Sequence, residues 1–323
     1  MMDLLNFTLD FKIPDNIEGE EKYFKWRWLG IGIIEFTPKV KYNKSIILSA
    51  GIHGNETAPI EILNLIYQDL FNNKIELKQR ILLILGHPLA IKAGIRYLEN
   101  DINRMFCGKY HQLTQDQETQ RAAQLEQIVL EFYQSSPVGS KRYHYDLHTA
   151  IRASLLPTFA LLPYQSHSYD KEMLQSLAAA ELDAVVYHSE NGATFTHFSS
   201  SACQAASVTL ELGKAQAFGQ NNLNDFASIH QVLCDLITHQ ALPLRKKEKI
   251  QSFEVVSSIL KQQDDFQLHV TDNAPNFISF APNDIIYTQA GQAQSFDQEI
   301  YILFANPKVK KGLRAGLILI KKD

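Results

Sequence analysis

A change of period along the chain constrains its fold more than any other feature. Through the first two thirds, short apolar runs of strand length alternate with stretches whose apolar residues recur every three to four positions. Ser45–Gly51 and Ile81–Leu85 are strand candidates, as are Tyr143–Leu147 and Ser207–Leu212. Between them, Ala58–Phe71 carries Ile62, Ile66 and Leu70 at four-residue spacing, with Pro59 placed for a first helical turn. Asp116–Tyr133 shows a helical stripe of Leu125, Ile128, Val129 and Phe132, and Leu223–Ile237 is helix-like again. This alternation predicts an α/β fold, a sheet flanked by helices on both faces.

Near Arg245 the pattern breaks. Arg245, Lys246, Lys247 and Lys249 form a basic run that reads as a solvated linker rather than a binding patch. Beyond it lie only short β-type segments: Phe253–Ile259, Phe266–Val270, Phe277–Phe280, Asp284–Thr288, Glu299–Phe304 and Leu317–Ile320. Turn signals such as Asn306-Pro307 and Lys311-Gly312 separate several of them. The expectation is an α/β domain over residues 1–244 and a small β domain over 245–323.

Composition narrows the function classes. With 31 Lys and Arg against 35 Asp and Glu, the formal charge is −4, and no clustered basic excess points to nucleic acid. A 45% hydrophobic content with 20% charged residues argues against disorder. No apolar run approaches the ~20 residues that span a bilayer. Asp3, Asp10 and Lys12 interrupt the N-terminus where a secretory signal needs an apolar stretch. Cys107, Cys203 and Cys234 are widely spaced and odd in number, as expected of unpaired thiols in a reducing, cytoplasmic setting. Eleven histidines are then left without a cysteine framework to explain them.

The strongest local signal is His53-Gly54-Asn55-Glu56, where a strand candidate ends and a helix begins. That is the usual ligand-binding edge of an open α/β sheet. A His and a Glu three apart there can reach one ion, although an HxxE match alone is equally a turn with a helix N-terminal glutamate. A third ligand is offered by Tyr143–Thr149, in which a strand would put His144, Asp146 and His148 on one face. His148 lies at the strand end; His144 sits deeper and reads as a packed core histidine. Asp146 either orients a ligand or satisfies backbone groups. Two histidines and a glutamate are typical of a catalytic zinc with one position left open. Glu211, charged in an otherwise apolar strand, is either a proton-transfer group or one half of a strand-end salt bridge. Arg96, Asn103, Arg104 and Arg152 gather near these ligands in an acidic chain, which suggests a field built for an anionic substrate.

Together these segments resemble the succinylglutamate desuccinylases, in the aspartoacylase group of the zinc carboxypeptidase-like hydrolases. The likeness runs through Ala50–Pro59, Arg96-Tyr97, Asn103–Phe106, Asp146–Arg152, Thr194–Phe198 and Thr209–Lys214, then Leu303–Pro307 and Gly312–Leu317. It departs at His87, where relatives carry Asn, and at Ala193 in a glycine-rich stretch.

The resemblance implies a carboxypeptidase-like mixed sheet flanked by helices, with a C-terminal β domain that narrows the site entrance. It implies one Zn2+ held by His53, Glu56 and His148, with Glu211 as general base and acid. Arg96 would polarise the scissile carbonyl, and Asn103 and Arg104 would hold substrate carboxylate. Arg152 is the candidate for the succinyl carboxylate. The expected reaction is hydrolysis of N-succinyl-L-glutamate to succinate and L-glutamate, the last step of arginine breakdown through succinylated intermediates. The alternatives are an aspartoacylase-like N-acyl amino acid hydrolase and a non-enzymatic zinc-dependent binding protein. A small anionic substrate is the expected partner, with no nucleic acid or membrane, and an oligomer remains open.

Overall fold

The computed structural model describes residues 3–322. Its strands are β1 (Glu18–Glu20), β2 (Phe24–Gly30), β3 (Ile33–Pro38), β4 (Lys44–Ala50), β5 (Arg80–Leu85), β6 (Lys141–Ala150), β7 (Thr158–Leu162) and β8 (Ala184–Tyr187). They continue as β9 (Ala206–Lys214), β10 (Gln251–Leu260), β11 (Gln267–Leu268), β12 (Ile278–Phe280), β13 (Tyr287–Gln289), β14 (Gln292–Gln294), β15 (Ile300–Leu303) and β16 (Arg314–Lys322). The helices are α1 (Leu4–Leu9), α2 (Thr57–Phe71), α3 (Pro88–Ala93), α4 (Gln117–Gln134), α5 (Lys171–Ala179), α6 (Phe195–Cys203) and α7 (Ala227–Thr238).

One mixed sheet of thirteen strands, ordered β1-β2-β3-β5-β4-β6-β9-β7-β8-β10-β16-β15-β12, carries both parts of the chain. At its centre β5, β4, β6 and β9 run parallel. β4 and β5 are buried along their whole length, as strands covered on both faces must be. The period-2 alternation sends their side chains into two separate cores. Ile46 and Leu48 pack with Ile62, Leu63, Ile66 and Leu70 of α2 on one face. Ile47, Leu82 and Ile84 pack with Leu125, Ile128, Val129 and Phe132 of α4 on the other. Each fully buried aliphatic side chain contributes about 1.5–3 kcal/mol, so the two helical stripes hold the sheet between them.

The mixed sheet flanked by helices agrees with expectation, and so does the small C-terminal β region. There β10, β16, β15 and β12 pair antiparallel, and β11-β13-β14 form a separate three-stranded sheet. Phe266, Leu268, Ile286, Ile300, Ile302 and Ile318 form a core of their own. Phe253, Val255, Leu317 and Leu319 instead pack against Phe159, Leu161 and Val186, which ties this region to the larger one.

Three features went unread in the sequence. β1–β3 extend one edge of the sheet, and β2 alternates buried and exposed residues because one face meets solvent. Leu223–Ile237 does not begin as α-helix but opens with a 3-10 turn over Leu223–Phe226. The basic run is exposed yet docked: Glu181 accepts hydrogen bonds from the Lys246 and Lys247 backbone, and Lys247 pairs with Asp183 at 2.9 Å. Among the described residues no helix is long and apolar enough to cross a membrane.

Candidate active site

The site sits at the C-terminal ends of β4, β6 and β9. His53 and Glu56 occupy the turn between β4 and α2, with Glu56 at the N-cap of that helix. The turn is tight because two glycines allow it. Gly51 has φ +68°, and a Cβ on Gly54 would collide with the Ala90 backbone. His148 lies near the end of β6, and the parallel register pairs its Cα with that of Glu211 on β9. Local periodicity puts each residue at a strand end; only the pairing of three strands puts them side by side.

His53, Glu56 and His148 each offer a ligand atom, and these atoms lie within 4.8 Å of one another. Both imidazoles turn Nδ1 towards Glu56, at 2.9 Å from Oε1 for His53 and 2.9 Å from Oε2 for His148. Both present Nε2 to an aspartate. His53 Nε2 is 3.0 Å from Asp101 Oδ1, and His148 Nε2 is 2.8 Å from Asp146 Oδ2. A carboxylate on Nε2 fixes the tautomer with its proton there and leaves Nδ1 as a lone-pair donor. His53 Nδ1 is buried and, despite its closeness to Glu56, has no hydrogen bond. An orphaned ring nitrogen beside a second imidazole and a carboxylate fits a divalent cation with nitrogen and oxygen ligands.

The charges are consistent with that reading. Burial alone would raise the Glu56 pKa, but the neighbouring His53 and His148 hold it well below the usual carboxylate range. Burial would likewise lower that of His148, yet Asp146 and Glu56 push it well above its usual value. Asp101 is held down by the hydrogen bond from His53 against its own burial. Two aspartates and a glutamate therefore surround two buried imidazoles. Asp146 orients a ring of this set and is tied in turn to Ser49 Oγ at 2.6 Å. His144 is the buried core histidine that was expected, bridging Ser49 and Ser199.

Glu211 behaves differently from Glu56. Among the described residues its buried Oε2 has no hydrogen-bond partner and Glu211 makes no salt bridge. Burial first, then the negative charge of Glu56, push its pKa up to about 7, with His148, His53 and Arg96 opposing. A carboxyl poised near neutrality can both take and return a proton.

The loop between α3 and α4 brings the remaining polar groups. Arg96 Nη1 donates to Glu56 Oε1 at 2.8 Å, and Nη2 lies 3.8 Å from Asp101 Oδ2. Asn103 is buried, and its Oδ1 accepts from the Phe195 N–H at the start of α6. This loop is held from below by Glu118, in the first turn of α4 and only 1% exposed. The Glu118 carboxylate accepts from three successive backbone N–H groups, Leu98, Glu99 and Asn100, at 2.8, 3.0 and 2.7 Å. His87 Nε2 completes the set at 2.9 Å. Neither Glu118 nor Asp101 stood out in the sequence. Asp101 lay within the segment read for its arginines, and Glu118 was hidden in a helix start.

All eight sequence-predicted residues line one cavity of about 480 Å³ between the two parts of the chain: His53, Glu56, Arg96, Asn103, Arg104, His148, Arg152 and Glu211. Arg152 is engaged at the mouth, where its Nη1 donates to the Asp272 carbonyl. The cavity also takes in Arg314 from β16, together with His188 and His197, for which the sequence alone indicates no role.

The family model for the succinylglutamate desuccinylase/aspartoacylase catalytic domain matches residues 42–237. That for the AstE/AspA barrel-sandwich hybrid domain matches residues 248–322. The chain is 50% identical over 322 residues to the succinylglutamate desuccinylase of Yersinia pestis, covering 99% of this chain and 97% of that protein. The succinylglutamate desuccinylase structure from Vibrio parahaemolyticus superposes with a TM-score of 0.93 at 30% identity, over 100% of this chain and 96% of that one. That from Chromobacterium violaceum gives 0.86 at 33% identity, over 99% and 98%. With both family models matching most of its length and a full-length relative at 50% identity, the chain belongs to the succinylglutamate desuccinylase/aspartoacylase family.

Proposed function

We propose that this chain hydrolyses N-succinyl-L-glutamate to succinate and L-glutamate, the last step of arginine breakdown by the succinylated route, in the cytoplasm. The observation that carries the reading is the joint presence, in one cavity, of an orphaned imidazole–carboxylate donor set, an unpaired buried glutamate and several arginines. The substrate carries three carboxylates, which accounts for so many guanidiniums in a chain of net charge −4. Likeness to full-length desuccinylases supports the acyl group named here.

His53 Nδ1, Glu56 and His148 Nδ1 are the residues that would hold one Zn2+. Zinc there would act as a Lewis acid for the amide carbonyl and lower the pKa of water to roughly 7. The protein's own groups do the rest. Glu211 takes the proton of the attacking water, and its own raised pKa matches that task. As the C–N bond breaks, Glu211 returns that proton to the departing nitrogen, which leaves as the amine of glutamate. Arg96, anchored on Glu56, faces the oxygen that gathers charge. Asn103 and Arg104 hold a carboxylate of the substrate, and Arg152 at the mouth takes the succinyl carboxylate. Residues 1–244 supply the chemistry in this reading, and 245–323 narrow the entrance.

The test is kcat/KM for N-succinylglutamate beside N-acetylaspartate, with and without a chelator. The reading expects strong preference for the succinyl substrate and loss of turnover on chelation. Preference for N-acetylaspartate would overturn it, and so would tight binding of N-succinylglutamate without turnover.

A further inference from the structure

We propose that Arg314 and His197, beside Arg104, form the subsite that binds the side-chain carboxylate of the glutamate half of the substrate. The inference rests on the reaction proposed above and assigns residues that the sequence reading left without a role.

The arginines of the cavity differ in what they already hold. Arg96 is engaged by Glu56 and Asp101, and Arg152 by the Asp272 carbonyl. Arg104 makes one bond, to the carbonyl of its neighbour Asn103 at 2.8 Å. Arg314, at the start of β16, makes no side-chain hydrogen bond or ion pair among the described residues. Burial, then the charge of Arg104, lower the Arg314 pKa to about 10, so the two guanidiniums stand in one another's field. The opposing carboxylate is Asp101, which His53 and Arg96 already share. Arg314 is half-buried beside the exposed Arg104, and like charges so placed repel unless an anion joins them.

His197 supplies an independent sign of a ligand. His197 is only 5% exposed, and among the described residues its Nε2 has no hydrogen-bond partner. Nδ1 is 2.8 Å from Thr194 Oγ1 in the first turn of α6. A Cβ on Gly192 would fall 2.9 Å from the ring, so the imidazole is fixed in place. Burial first, opposed by the Glu190 carbonyl and helped by Arg314 and Arg104, brings its pKa down to about 4 and keeps it neutral at pH 7. Donation from the Thr194 hydroxyl to Nδ1 then puts the ring proton on Nε2, which makes no full hydrogen bond and has the Glu190 carbonyl as its nearby backbone acceptor. His188, 5.2 Å away between ring centroids, is neutral for the same reasons.

A guanidinium without a partner, a second held only by the Asn103 carbonyl, and an N–H donor without a full hydrogen bond among the described residues thus line one cavity. The succinyl half of the substrate offers one carboxylate, on the far side of the scissile amide. The glutamate half offers two within a single residue. A neighbouring pair of arginines matches that pair of charges, one carboxylate on Arg104 and the other on Arg314 with His197.

The experiment compares N-succinylglutamate, N-succinylglutamine and N-acetylglutamate as substrates of the wild-type, Arg314→Gln, Arg314→Lys and His197→Phe proteins. Wild type should favour N-succinylglutamate over N-succinylglutamine by about 100-fold, the usual scale for a charge-assisted contact. Arg314→Gln should lower kcat/KM about 100-fold for the first and only a few-fold for the second, which collapses the ratio. Arg314→Lys should restore part of it, and His197→Phe should lower it less than Arg314→Gln does. The ratio of N-succinylglutamate to N-acetylglutamate should stay near its wild-type value throughout.

An equal loss on all three substrates, or collapse of the succinyl-to-acetyl ratio instead, overturns the assignment. A wild-type protein that leaves N-succinylglutamate intact refutes the reaction rather than the subsite. Calorimetric binding of glutarate to wild type and Arg314→Gln then tests the subsite directly. Equal affinity in the two proteins would count against it.

Discussion

Replacing Glu118 by alanine tests whether the geometry of the site depends on one buried carboxylate outside it. Glu118 accepts four hydrogen bonds, three from consecutive backbone N–H groups of the segment that carries Arg96 and Asp101. Those two residues in turn contact Glu56 and His53. A hydrogen bond to a charged group contributes about 1.5–3 kcal/mol net, and a buried donor left unpaired costs about 1–3 kcal/mol. The loop is partly exposed at Leu98–Asn100 and can recruit water, so a total near 3–5 kcal/mol is expected rather than the full sum. Glu118→Gln keeps the volume but turns an amide NH2 towards N–H donors; about half of that loss follows.

The diagnostic feature is how the loss divides. A displacement of Arg96 and Asp101 by about 1 Å lowers turnover roughly 10²-fold. Urea unfolding gives the stability change, and kcat/KM of folded, metal-loaded protein gives the other. The expected result is a variant that remains folded by circular dichroism at the assay temperature yet is about 100-fold slower. A folded Glu118→Ala protein with kcat/KM within about 3-fold of wild type would refute the reasoning.

Further outcomes are expected. Glu211→Gln should cut kcat by about 10²–10⁴ while metal content, measured by elemental analysis, stays at the wild-type level. Stripping the metal should lower the melting temperature, and zinc at about 100 times its Kd should restore roughly 2.7 kcal/mol. Glu56→Gln, which removes one of the proposed ligands, should show no such zinc-dependent shift in calorimetry. His144 sits fully buried between Ser49 and Ser199, and burial, opposed by Asp146, takes its pKa down to about 4. Its folded value is below the unfolded one of about 6.5, so its contribution is complete above pH 6.5 and lost as pH falls towards 4. Between pH 7 and pH 5, urea unfolding should show a drop about 2 kcal/mol larger in wild type than in His144→Asn; equal drops in both would refute it.

Much of the fold was legible because it rests on short-range order. The four-residue spacing in α2 and the apolar runs of β4 and β5 record which side chains must leave water, and any neighbouring layer enforces the same pattern. β1–β3 were harder to read, since a half-solvated edge strand such as β2 mixes Lys25 and Arg27 with its tryptophans. His53, Glu56, His148 and Glu211 were legible as chemistry because each breaks local expectation: a polar residue at a strand end or within an apolar strand. Glu118 broke none, as acidic residues are ordinary in a helix's first turn.

The sequence by itself therefore determined the alternation of elements, the two apolar faces of the sheet and the residue types available for chemistry. Those follow from periodicity and hydrophobicity, which act within a few residues. Tertiary structure alone decided the partnerships. The β6–β9 register sets His148 against Glu211, the loop before α4 lays Asp101 on His53, and β16 carries Arg314 to Arg104 across more than half the chain. No local pattern encodes such contacts, because each depends on closing the sheet over distant segments. That closure also withdraws water, which is why one buried glutamate is held as an anion and the other is pushed up to about 7.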